Sequence, residues 1–136
     1  QATPVEGEIP GEAVLTGTSG VEVLSAARLS KEQTRARNKE TLLEIINSTE
    51  LSDAQKQEAV DSMVRMTDIA EKEAAAEVLL QAKGFQEAVV SINGDAVDVV
   101  VNAAELTDVQ RAQIEDIVKR KTDIAAENIV ISTIAQ

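Results

Sequence analysis

The stretch Ala88-Val89-Val90-Ser91-Ile92-Asn93-Gly94-Asp95-Ala96-Val97-Asp98-Val99-Val100-Val101 sets two β-branched runs on either side of an Asn-Gly pair. That is the pattern of a β-hairpin. A two-residue turn on Asn93-Gly94 is expected to be of type I′, whose positive φ at both central residues suits Asn and Gly. In that register Ile92 faces Asp95, Val90 faces Val97 and Ala88 faces Val99 on one side. Val89 with Asp98, and Ser91 with Ala96, share the other. One face is nearly all apolar and the other is mixed. A lone ribbon of this kind is marginal in water, so the helical patterns on either side are expected to cover its apolar face.

Composition narrows the chemistry. The 136 residues contain no Cys and no His, one aromatic residue (Phe85), and 24 acidic against 13 basic side chains, for a net charge of -11. Without Cys there is no disulfide, thiol nucleophile or thiolate zinc site. Without His, the common general base and metal ligand are missing. The acidic balance and the lack of stacking aromatics disfavour nucleic acid as a partner. No apolar run approaches the roughly 18 residues of a membrane span. The sequence opens at Gln1 without Met, which leaves room for a membrane segment upstream.

Outward from the hairpin, residues 1–25 read as a flexible tether, since the first twenty hold both prolines and four of the six glycines. Val21-Glu22-Val23-Leu24 fits either an extended segment or a first helical turn. A helix is expected from about Ala26 to Asn47, with Ser30 and Gln33 at capping-box spacing as one possible start. On it Arg28, Lys31, Arg35 and Lys39 recur along one side. This basic stripe is either a docking face for an acidic partner or membrane, or a solvated face relieved by Glu32 and Glu40. Ser52 with Gln55 opens a second helical stretch to Lys83, as one helix or as two meeting near Thr67-Asp68. Val60, Met63, Thr67, Ala70, Ala74 and Val78 form its expected apolar seam. Gly84 and Phe85 suit a Schellman ending, with Phe85 touching Leu80.

Thr107 with Gln110 caps a helix to about Lys121, with Ile114, Ile117 and Val118 on one side, and Asn128 to Ile134 reads as a third strand. The fold class is therefore α+β: a helical extension over residues 26–70, then an αββαβ unit over 71–136, with a three-stranded sheet and helices on one face. A right-handed crossover makes the last strand parallel to the second. It lies beside that strand or on the far side of the first, and the latter placement is expected. Val89 and Val100 are then left apolar on the other face.

No catalytic pattern emerges. Asp95 belongs to the turn and Asp98 to the opposite face, so neither sits in a pocket that would tune it for acid or base work. There is no phosphate-cradling glycine loop, nucleophile elbow or calcium-loop spacing. The chain is expected to be no enzyme and to need no cofactor or metal. Its candidate partner-binding residues are Arg28, Lys31, Arg35 and Lys39 on the first helix, Val89 and Val100 on the bare sheet face, and Val130, Ser132 and Ile134 on the terminal strand, whose edge can accept another chain's strand.

The run Arg28-Leu29-Ser30-Lys31-Glu32-Gln33-Thr34-Arg35-Ala36-Arg37, then Glu40-Thr41-Leu42-Leu43-Glu44-Ile45-Ile46, then Glu71 through Lys83-Gly84-Phe85-Gln86-Glu87-Ala88-Val89-Val90, resembles the extracytoplasmic region of the stage III sporulation protein AH family. The resemblance covers about residues 26–134. It implies an αββαβ ring-building fold similar to that of type III secretion basal-body rings. It also implies a single-pass anchor in the mother-cell membrane, a domain in the space between mother cell and forespore, and binding of the forespore protein stage II sporulation protein Q in a channel complex that assembles into rings. A self-assembling coiled-coil scaffold unrelated to sporulation is the alternative.

Overall fold

A 31-residue helix, α1 (Gly17–Asn47), and a 30-residue helix, α2 (Asp53–Ala82), form an antiparallel hairpin that leads into the sheet. The computed structural model describes residues 17–134, with side chains from residue 20 onward. The part of the expected tether before Gly17 lies outside the described residues. From Gly17 on, the chain is helical rather than starting near Ala26, and Ser30 falls inside α1 instead of capping it. Tertiary burial accounts for the earlier start. Leu24 is 1% exposed, and Gly20 lies so close to Asn102 that a β-carbon there would collide with its side chain.

After a short break at residues 48–52, the Ser52 hydroxyl accepts the Gln55 N–H while the Gln55 side chain accepts the Ser52 N–H. This is the reciprocal cap the spacing called for. The helix then runs unbroken through Thr67-Asp68. It ends as expected, with Phe85 N–H on Leu80 O at 2.9 Å and Gly84 N–H on Gln81 O at 3.1 Å, the paired bonds of a Schellman motif. The apolar seam is displaced from its expected position. Val60, Thr67, Ala70, Ala74 and Val78 are exposed, and the inward stripe is Ala59, Met63, Met66, Ile69, Glu73, Ala76 and Leu80. A carboxylate at its centre hid that stripe from a reading by hydrophobicity.

Strands β1 (Ala88–Asn93) and β2 (Ala96–Val101) pair antiparallel, helix α3 (Asp108–Thr122) crosses over, and β3 (Ile129–Thr133) pairs parallel to β2. The turn differs from expectation. Asn93 pairs with Ala96, so Gly94 and Asp95 are the central residues. Gly94 has φ +60° while Asp95 stays negative, which fits a type II′ turn with glycine first. The register therefore slides by two residues, which preserves side-chain parity. Val90 now faces Val99, Ile92 faces Val97, and Val101 gains Ala88 as a partner.

Strand order is β1-β2-β3, so the third strand joins the outer side of β2 and not β1. Two physical reasons favour this. Val97, Val99 and Val101 make β2 the strand best served by neighbours on both sides, and the outer edge of β1 is already occupied by helix side chains. Leu80, Val90, Val97, Val99, Ile114 and Val118 are fully buried between the sheet and α2 with α3, each stabilising by about 1.5–3 kcal/mol before entropy is subtracted.

Candidate interaction interface

In an antiparallel pair, alternate residues turn their N–H and C=O groups away from the partner strand. On β1 these are Ala88, Val90 and Ile92, and side chains from both long helices meet them. Arg28 Nη2 donates to Ala88 O at 2.8 Å and Lys31 Nζ to Val90 O at 2.9 Å. Glu77 Oε2 accepts the Val90 N–H at 2.8 Å, and Glu73 Oε2 accepts the Ile92 N–H at 2.7 Å. Four charged side chains thus stand where a fourth strand would pair, a device that closes an edge against addition.

Glu73 is the hub. It is 3% exposed and accepts a two-pronged contact from the Arg35 guanidinium, with Nη2 on Oε2 at 2.9 Å and Nη1 on Oε1, while Lys31 Nζ lies 3.2 Å from Oε1. Burial alone would raise its carboxyl pKa. The Arg35 hydrogen bonds, the Ile92 N–H and the charges of Lys31 and Arg35 outweigh burial and hold it below its ordinary value. The Glu73 hydrogen bond in turn raises Arg35, against the opposing effect of burial.

The basic stripe is therefore divided. Arg28, Lys31 and Arg35 turn inward onto β1 and Glu73, so their face of α1 is not a solvated one. Lys39 stays exposed beside a shallow groove with Met63 and Met66. Glu73 and Glu77, absent from the sequence candidates, complete the closure. The signal that could have found Glu73 is a lone carboxylate inside an otherwise apolar helical stripe.

The opposite edge is different. Ile134 N–H bonds Val101 O at 3.0 Å, so by alternation Val130 and Ser132 also turn their backbone toward β2, while Ile129, Ile131 and Thr133 turn theirs outward. The Ile129 N–H is taken up by Ala126 O in the preceding 3-10 turn. Among the described residues, nothing pairs with the outward groups of Ile131 and Thr133. Val130 is 53% exposed and Ser132 is exposed beside it, whereas Ile134 is half-buried. Of the two valines expected to be bare, Val100 is half-buried and Val89 is 5% exposed, both without joining the main core. Helix α1 touches β1, a packing that the sequence pattern does not predict.

Among the described residues no cluster of acidic side chains is placed to hold a metal ion, and no helix is long and apolar enough to cross a membrane. Residues 8–131 match the family described as SpoIIIAH-like protein. The chain is 26% identical over 108 residues to stage III sporulation protein AH of Bacillus subtilis (strain 168), covering 79% of this chain and 50% of that protein. It thus spans about half the length of the curated relative it matches. A solved structure of the SpoIIQ-SpoIIIAH pore-forming complex contains a chain that superposes with a TM-score of 0.75 at 23% identity, covering 84% of this chain and 98% of that one. The type III secretion protein EscJ of enteropathogenic E. coli gives a TM-score of 0.47 at 22% identity over 66% of this chain and 62% of its own, too slight a likeness to build on.

Proposed function

The chain belongs to the SpoIIIAH-like protein family, and from that membership we propose that it is a non-enzymatic interaction domain of a sporulation channel complex. In this reading it is held at the mother-cell membrane and binds stage II sporulation protein Q in the space between mother cell and forespore. The observation that carries the reading is the asymmetry of the sheet. One edge is closed by Arg28, Lys31, Glu73 and Glu77, and the other presents Ile131 and Thr133 with backbone groups unpaired among the described residues. A partner strand adds along β3, with main-chain bonds giving affinity and Val130 and Ser132 giving specificity on the exposed face. Lys39, Val100 and Ile134 have no part in the strand addition proposed here.

Ring formation within the complex is part of the same proposal, through surfaces other than the sealed β1 edge. A free-standing coiled-coil scaffold is less well supported, because α1 and α2 already pack on each other. The test is to mix the purified chain with the extracytoplasmic region of stage II sporulation protein Q and run gel filtration. A joint peak is expected, lost in Thr133→Pro, which removes an outward N–H without touching a β2 bond. Separate elution at high micromolar concentration, or a joint peak indifferent to Thr133→Pro, would overturn the reading.

A further inference from the structure

The end of the α1–α2 hairpin remote from the sheet carries a second surface with its own chemistry. Glu73 and Glu77 reach β1, whereas Val60 lies about 20 Å further along α2 at 1.5 Å per residue. There a groove of about 520 Å³ opens over Ile46, Val60, Met63 and Val64, with Asp68 and Glu71 on its rim. Val64 is 63% exposed, and Val60 one turn away and Leu43 on α1 are also exposed. These side chains contribute nothing to the main core.

The charge around this apolar strip is net acidic. Residues 39–72 carry eight carboxylates against Lys39, Lys56, Arg65 and Lys72, a net charge of -4. On the rim Asp68 is paired with Lys72 at 3.3 Å in an exposed i,i+4 ion pair, and Glu71 is exposed. We infer that the groove lined by Ile46, Val60, Met63 and Val64 is a docking site for a cationic amphipathic helix of another protein. Apolar side chains at successive turns of such a helix would fill the groove, and flanking Lys or Arg would meet Glu71 and compete with Lys72 for Asp68, a surface pair weak enough to exchange. A second copy of this chain is a poor occupant. It brings the same net charge of -11, and its basic stripe is largely spent on β1 and Glu73. The surface is separate from β3, so both can be engaged at once.

The test uses a fluorescently labelled Leu/Lys peptide of about 14 residues, four helical turns, with leucines on one face, titrated into the intact chain and followed by anisotropy. Saturable one-to-one binding is expected, weakened roughly tenfold by the paired variant Val60→Ser with Val64→Ser, and roughly tenfold by Asp68→Asn with Glu71→Gln. Both pairs are exposed, so the fold is retained, as circular dichroism would verify. A peptide with Glu replacing every Lys should not bind. Three results would overturn the inference: affinity unchanged in the valine pair, several peptides bound per chain, or a homodimer in sedimentation equilibrium that disappears in the valine pair.

Discussion

Glu73 concentrates the physics of the interface in one residue. A buried carboxylate is tolerable only when its charge and lone pairs are met, and here two cations and a strand N–H do so. Glu73→Ala leaves the Ile92 N–H and two partly buried cations without their acceptor, and should lower unfolding stability by about 3 kcal/mol in urea titrations. The pH dependence has a definite sign. The folded pKa of Glu73 is depressed, so its stabilisation is full above the ordinary carboxylate value and is lost as pH falls through the lower native one. Stability should therefore drop on acidification below about pH 4.5, more steeply in the natural chain than in Glu73→Gln. Little of this was legible beforehand. The basic stripe Arg28, Lys31, Arg35 showed in the spacing, but its target did not, because a period sought in apolar residues passes over a charged position at the centre of the stripe.

At the scale of elements, local signals and tertiary ones separate cleanly. The caps at Ser52-Gln55 and Thr107-Gln110 and the Schellman ending at Gly84-Phe85 are decided by near neighbours, and all three were legible in the sequence. The start of α1 was not, because it depends on distant groups. In this segment Gly20 and Leu24 are buried, and a β-carbon at Gly20 would collide with the Asn102 side chain just past the end of β2, which would have to turn away. Gly20→Leu should push the first turns of α1 off the sheet, at a cost of about 1–3 kcal/mol. Limited proteolysis should then cut between residues 17 and 28 while leaving β1 to β3 intact. Equal resistance in the variant would show that this end of α1 is not docked by close packing. The hairpin turn belongs between the two cases: Asn-Gly marked it, but whether Gly takes the first or second central position depends on which register brings Val101 opposite Ala88.

For the whole molecule, the sheet has a direction. Growth on the β1 side is blocked by four charged side chains, and among the described residues growth on the β3 side is open, so the strand addition we propose would join one partner and then stop. That asymmetry was invisible in the sequence, from which an order with β1 central is expected, since crossover handedness allows either placement of the third strand. It decides what kind of assembly the fold permits, since copies cannot chain edge to edge through a continuous sheet. The most direct test of the central claim is amide hydrogen exchange of the chain, alone and with the extracytoplasmic region of stage II sporulation protein Q. The account predicts that Val90 and Ile92 are slow in both states, whereas Ile131 and Thr133 are fast alone and strongly slowed in the complex. Complex formation that leaves Ile131 and Thr133 fast, or that slows residues of α1 and β1 instead, would contradict it.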